Sequence, residues 1–382
     1  MYVIFLAALL GLLYSLQLLI YRKKWFTGLK VSAFFSTEEV YEGEEAELTE
    51  TIENAKWLPL PVVKMKLQLS RKLLFRDADN SSVSDYFNRT DIYTIGAYNK
   101  VTRTMKFSCP ARGYYDFNGV DVVSSDIFSS KIFLQSVDST SYLYVYPRPY
   151  PCELPEALLN KINGDSRAKR NRIEDPFELR GIREYQDFDG MKNINWKASA
   201  KTDDFMVNVH GYTTKRTMRI FINMESNALL RRDELNELCI SMAVKIAEVS
   251  AAEEVPVSVY CNGKDVLNDS PVIIGEGSGA SLIRSLNRAL ARIDMNKGTT
   301  DFKELYESVS EEERRDSFDI ILSPCMQPLF QDFLAELSKK ETEFYWVCLA
   351  KSDSPFAVSE EIKDRTIVID AGEVLNDISR AW

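Results

Sequence analysis

The amino-acid sequence predicts an α+β multidomain chain: an N-terminal transmembrane helix, an antiparallel β-sandwich, then a three-layer α/β domain. Three observations predict it. Tyr2 to Ile20 is an almost unbroken apolar run. The stretch from about Val31 to Tyr146 alternates with period two. From Thr217 onward, strand-like and helix-like runs take turns. At 382 residues, 45% hydrophobic and 27% charged, the chain has apolar material for more than one core.

The first element is YVIFLAALLGLLYSLQLLI, in which only Ser15 and Gln17 are clearly polar. About 19 helical residues at ~1.5 Å each cross a hydrocarbon layer of ~30 Å. A cleaved signal peptide wants a basic start and a shorter core. Here no Lys or Arg precedes the run, while Arg22, Lys23 and Lys24 follow it directly, in a stop-transfer arrangement, with Tyr21 and Trp25 placed for the interface. The expectation is a single-pass plasma-membrane protein anchored in the lipid bilayer, with its soluble part in the cytoplasm by the positive-inside bias.

The second element is β-rich. Val63, Met65, Leu67 and Leu69 share one face of a strand, and Tyr142, Tyr144 and Tyr146 oppose Leu143 and Val145 in another. Short strands between Gly, Asn, Asp and Pro predict the sandwich. Asp77 to Ser84 (DADNSSVS) reads as a loop, and the proline-rich Pro147 to Pro155 as a boundary. Asn160 to Asn171 reads as an exposed polar loop carrying Arg167, Lys169 and Arg170. The expected division is 1–25 anchor, 26–150 sandwich, 151–216 linker and charged segment, and 217–382 α/β domain.

In that last part, Ile220–Ile222, Val255–Tyr260, Phe318–Leu322, Phe344–Leu349 and Thr366–Ile369 read as strands. Arg231–Ala251, Ser281–Ile293 and Pro328–Lys339 read as helices. Such alternation makes a mostly parallel, Rossmann-like sheet with helices on both faces and ligand loops beyond the strand C-termini. The Gly275–Gly279 run lacks a phosphate-loop lysine and reads as a flexible connection; no cofactor motif follows any strand.

Composition narrows the chemistry further. A net charge of -10 argues against broad nucleic-acid binding. The six cysteines are scattered without a CxxC pair, which predicts buried free thiols and no zinc site. The single histidine, His210, has no triad-like neighbours.

The densest unusual segment runs from Phe177 to Val209 and holds Arg180, Arg183, Glu184, Tyr185, Asp187, Asp189, Trp196, Ser199 and Lys201. Its Arg183, Tyr185, Asp189, Ile194, Trp196, Ser199, Ala200 and Lys201 resemble the signature R-x-Y-x-x-G-D-x-x-R-x-I-x-W-x-x-S-A-R of the bacterial family known as domain of unknown function 58. Phe188 stands where that family usually has Gly, Asn193 near its usual Arg, and Lys201 for its final Arg. Upstream, Arg112-Gly113-Tyr114-Tyr115 and Ser125-Asp126-Ile127-Phe128 resemble the family's R-G-x-Y and S-D-P-F-G stretches. The resemblance implies a von Willebrand A-like α/β domain and a MoxR-type AAA+ ATPase as partner. It also implies two membrane helices in many members, where this sequence offers one.

Physically, the segment places both signs of charge within ten positions. Ion pairs can pin a loop while Trp196 anchors it by burial. The same Arg and Trp types can instead form a partner-binding hot spot, and Asp187 with Asp189 or Glu184 offers a carboxylate pair for hydrolysis. The von Willebrand A-like likeness implies a Mg²⁺ site of D-x-S-x-S form. Here the frame reads Asn223-x-Glu225-x-Asn227, with Thr300 as a later position, a degenerate set that has lost its aspartates and serines. The leading expectation is therefore a membrane-anchored, non-enzymatic interaction or adaptor protein without a cofactor, acting with the ATPase in envelope or protein-maturation processes. A Mg²⁺-dependent adhesion-type receptor and a hydrolase are the alternatives.

Overall fold

The computed structural model describes residues 1–76, 81–83, 87–160, 162, 174–186, 189–202, 204–212, 217–225, 233–309, 317–340, 342–351, 357–372 and 374–375. Side chains of 81–83, 174–180 and 209–212 are outside the description. The chain divides into two compact units, Met1–Arg148 with Asn287–Asp294, and Pro149–Leu286 with Met295–Ala381.

The first unit opens with helix α1 (Tyr2–Lys24), long and apolar enough to cross a membrane. Strands follow: β1 (Leu29–Phe35), β2 (Glu39–Tyr41), β3 (Glu45–Asn54), β4 (Leu60–Leu69), β5 (Leu74–Phe75), β6 (Ser81–Val83), β7 (Phe87–Ile95), β8 (Asn99–Ser108), β9 (Gly113–Phe117), β10 (Val120–Ser125), β11 (Ile132–Val137) and β12 (Ser141–Tyr146). They form sheets of order β1-β3-β8-β5, β11-β10-β4-β7-β6 and β2-β12-β9. Period-two patterning decides which residues face inward. Val63, Met65, Leu67 and Leu69 are all buried, and meet Leu48 and Ile52 of β3 in one core. The pairing is antiparallel except β2 with β12, which is parallel over Glu39–Tyr41. The expectation of a wholly antiparallel sandwich is corrected there: the short β2 pairs with a strand a hundred residues on, so no hairpin turn dictates its direction. The expected loop at 77–84 is corrected too, because Ser81–Val83 adds an edge strand to β7. Three residues, two serines and a valine, are too few to show an alternation that could be read.

Two polar features are set into this core. Glu50, almost fully buried on β3, accepts a hydrogen bond from the Tyr93 hydroxyl on β7. Nearby, buried Asp91 pairs with Arg89 (2.5 Å) and Arg103 (2.9 Å). At the start of β9, a Cβ on Gly113 would lie 2.7 Å from the Tyr115 ring, so only glycine fits. That ring's hydroxyl donates to the Ala111 carbonyl at 2.8 Å, closing the corner.

The last turn of α1 belongs to the same core. Tyr21 and Trp25 are buried, and the Tyr21 hydroxyl donates to the Pro59 carbonyl at 2.8 Å. Trp25 stacks on Phe133 of β11 with centroids 5.8 Å apart.

The second unit begins with paired strands β13 (Glu174–Glu184) and β14 (Met206–Tyr212), which flank helix α2 (Trp196–Thr202). Next come β15 (Thr217–Ile222), α3 (Asp233–Ala252), β16 (Val257–Lys264), β17 (Pro271–Gly277), α4 (Gly279–Ala291), α5 (Phe302–Ser308), β18 (Ser317–Leu322), α6 (Pro328–Lys339), β19 (Phe344–Ala350) and β20 (Thr366–Asp370). The sheet order is β17-β16-β15-β18-β19-β20, parallel throughout except β16 with β17. The expected flexible connection at Gly275–Gly279 is corrected: Gly275–Gly277 end the antiparallel edge strand β17. Its glycines carry no side chain to reveal a strand, and an edge has only one neighbour to satisfy.

Strands β15 and β18 read as continuous apolar runs because helices cover both faces. Phe221 packs with Phe302 and Tyr306 of α5, and Tyr306 in turn meets Phe333 of α6 in the same core. On the opposite parity, Met218 meets Ser250 of α3. The exception inside β15 is Arg219, 2% exposed, which grips Asp319 of β18 through Nε (2.7 Å) and an Nη (2.8 Å). The Tyr306 hydroxyl also donates to Asp319. Five of the six cysteines are buried, Cys152 is exposed, and all are free thiols.

Candidate functional site

The charged segment folds as a small frame. Arg183 sits opposite Val207 and Glu184 opposite Met206 in the β13–β14 ladder, and the Tyr185 N–H extends it to the Phe205 carbonyl at 2.7 Å. The chain then turns through a 3-10 helix at Met191–Asn193, and Ile194 bridges back to Val207 before α2 begins. Ile194 and Val207 supply its buried apolar contact.

Polar side chains fix that frame. Arg183 reaches both oxygens of Asp189 at 2.6 Å and also donates to the Glu184 carbonyl at 3.0 Å. Asp189 accepts from the Gln186 N–H at 2.9 Å as well. The Arg183 hydrogen bonds hold its carboxyl below the ordinary range. Asn195 caps α2 by accepting from the Ala198 N–H (3.0 Å) and donates to the Asn208 side chain (2.7 Å). Ser199 donates to the Asn195 carbonyl (2.9 Å) and accepts from the Met206 N–H (2.8 Å), tying α2 to β14.

Trp196 is a correction. Sequence reasoning expected burial to anchor the loop, yet the indole is 64% exposed. Isoleucine and valine already fill the inside of this frame, and position one of a two-turn helix points outward. Its ring meets Phe205 edge-on at 6.3 Å, and Phe205 meets Tyr185 edge-on at 6.3 Å. Phe205 and Met191 are likewise exposed. Neither was singled out from sequence; the only signal was a Phe bordered by Asp203, Asp204 and a strand. Glu184 and Lys201 are exposed at the frame's rim. The Arg180 side chain and Asp187 lie outside the described residues, as do residues 161 and 163–171 of the expected polar loop. For general acid work, Asp189 is shifted in the unhelpful direction and its oxygens are engaged by Arg183.

The second candidate lies where β15 and β18 end side by side and the strand order reverses. Asn223 Oδ1 accepts from the Glu225 N–H (3.0 Å) and from Asn262 Nδ2 (3.0 Å). Asn262 also donates to the Thr300 carbonyl (3.1 Å) and accepts from the Met224 N–H (2.8 Å). Glu225 accepts from the Phe302 N–H at 2.8 Å, and burial raises its carboxyl above the ordinary range. Asp301 is turned to cap α5, accepting from the Glu304 N–H at 2.9 Å. Asn223, Glu225 and Thr300 are thus brought together, while Asn227 lies outside the described residues. Among the described residues this set is a poor match to Mg²⁺: one carboxylate, Glu225, faces the cluster, and the Asn223 oxygen already serves two N–H groups. No cluster of three or more His, Cys, Asp or Glu side chains suited to a metal occurs among the described residues.

The motif frame and most of the α/β sheet coincide with a known sequence family. Residues 181–345 match the family described as "Protein of unknown function DUF58". This stretch is a DUF58 region. It begins inside β13, takes in Arg183, Asp189, Trp196 and Ser199, and ends in β19. No curated protein matches the chain. Among solved structures, the chain is similar to a non-cellulosomal cohesin from the archaeon Archaeoglobus fulgidus, with 17% identity over 30% of this chain and 91% of that one, at a TM-score of 0.21. The CARDB domain of the PF1109 protein from Pyrococcus furiosus shows 13% identity over 31% and 89%, at 0.21. A PapD-like domain of human CEP192 shows 16% identity over 31% and 87%, at 0.20. TM-scores of this size do not establish a shared fold.

Proposed function

We propose that the chain is a single-pass, membrane-anchored, non-enzymatic interaction protein whose DUF58 motif frame presents Trp196, Phe205 and Met191 to a protein partner. The observation that carries this reading is the 64% exposure of Trp196 on a frame locked by Arg183–Asp189 and Asn195–Ser199. An exposed indole costs solubility unless something covers it, and a pre-ordered aromatic loses little entropy on binding. Arg22, Lys23 and Lys24 at the end of α1 support a cytoplasmic soluble part. The sheet order supports a von Willebrand A-like scaffold without its metal, the ends of β15 and β18 being closed by amide hydrogen bonds.

The partner class is a MoxR-type AAA+ ATPase, and the client belongs to envelope or protein-maturation work. The test is binding of a purified MoxR-type ATPase to the full-length chain in nanodiscs. Trp196→Ala and Phe205→Ala should each weaken it about tenfold or more. Unchanged affinity in both variants would remove the frame from the interface.

A further inference from the structure

One corner of the sandwich carries more exposed apolar surface than its own core explains. The turn after β10 and the edge strand β11 display Ile127, Phe128, Ile132 and Leu134, each more than half exposed. Lys131 is exposed between them, and Lys64 lines a recess with Val123 and Ile132 on the same sheet face. This corner is fastened to α1. The Tyr14 hydroxyl donates to Ser130 (2.8 Å), Gln17 donates to Asp126 (3.1 Å), and the Tyr14 and Phe128 rings lie 5.9 Å apart.

The fastening sets a depth. Tyr14 stands eight residues before Arg22, about 12 Å along the helix axis at ~1.5 Å per residue. If Arg22 marks the headgroups, Phe128 lies beyond them on the bilayer side. Withdrawing α1 until the corner clears the membrane would leave only Tyr2–Leu13, about 18 Å of helix against a layer of ~30 Å. The span and a dry corner are therefore incompatible.

We infer that the corner carrying Ile127, Phe128, Ile132 and Leu134 inserts into the headgroup–acyl boundary of the leaflet at the Arg22 end of α1. This rests on α1 spanning the bilayer. Lipid is the occupant because the patch continues the exposed apolar surface of α1 and is rimmed by lysines that suit phosphate headgroups. The open edge of β11 keeps insertion shallow, since its backbone groups still need water or headgroup partners.

The test uses the full-length chain in phosphatidylcholine/phosphatidylglycerol nanodiscs in a Cys152→Ser background, where the remaining thiols are buried. Single nitroxide labels are placed at Leu9, Phe128, Leu134 and, as an exposed reference in the other unit, Ile273. Accessibility to oxygen and to a water-soluble nickel chelate is read at each. The expected result is lipid exposure at Leu9, Phe128 and Leu134, and water exposure at Ile273. Lipid at Leu9 with water at Phe128 and Leu134 overturns the insertion and leaves the span standing. So does a label there shielded from both relaxants, which means protein cover. Water at Leu9 defeats the span and the insertion together.

Discussion

Arg183 and Asp189, six residues apart, face each other through two parallel N–H···O contacts of 2.6 Å. The pair closes the loop between β13 and α2, so the aromatic rings beyond it are held by a planar fork. Lysine keeps the charge and loses the fork. Arg183→Lys should speed amide exchange at Gln186 and Tyr185 with little change at β15. Unaltered exchange there would mean the loop is held by other contacts.

Display and scaffolding should separate within this one segment. Trp196→Ala removes an exposed ring and should change stability by no more than about 0.5 kcal/mol while weakening partner binding. Ser199→Ala loses one donated and one accepted hydrogen bond and should cost about 1 kcal/mol. Denaturation of both variants in detergent, alongside the nanodisc binding measurement, checks the contrast.

Glu50 should give the sandwich a pH-dependent stability. Burial pushes its carboxyl up to about 7 from an ordinary 4.5, against the opposing pull of the Tyr93 hydroxyl. Between those values the folded state keeps a proton that the unfolded chain has released. Stability therefore falls as pH rises from about 4.5 to about 7 and is level above, by an amount on the order of 3 kcal/mol. Glu50→Gln should flatten that window. Hydrogen exchange of β3 and β7 across the range reads it.

The amide cluster at the end of β15 should behave as structure. Asn262→Ala strands the Met224 N–H and takes the side-chain donor from the Thr300 carbonyl, while Asn223 keeps the Glu225 N–H, and should cost about 3 kcal/mol. Millimolar Mg²⁺ should leave the thermal midpoint of the wild-type chain where it is. A Mg²⁺-dependent rise that Glu225→Gln abolishes would restore the metal reading.

How much of this could be read from residues alone depends on what each element answers to. The period-two faces of β4 and β12 were legible because a buried sheet face leaves no choice of parity. Helix α6 was legible to the residue because Pro328 opens it and its apolar spacing is regular. β17 and β6 were not, since edge strands are fixed by one neighbour's backbone and impose little on side chains. In the motif frame the mixed charges made ion pairing legible, but not that Arg183 and Asp189 would be the partners. The outward turn of Trp196 was not: composition says that a tryptophan is valuable, while only packing says which side of the frame was already full. The Glu50–Tyr93 contact joins residues 43 positions apart, a pairing that only the β3 and β7 strands create.

The burial of Tyr21 and Trp25 in the sandwich has a practical consequence. A version of this protein begun after residue 25 for easier handling would lack two rings of its own interior, together with the Pro59 hydrogen bond. Loss of solubility or of a sharp melt in such a fragment would report a wound in the sandwich. The seam between greasy helix and water-borne module runs through a folded body, so the two are best handled as one piece.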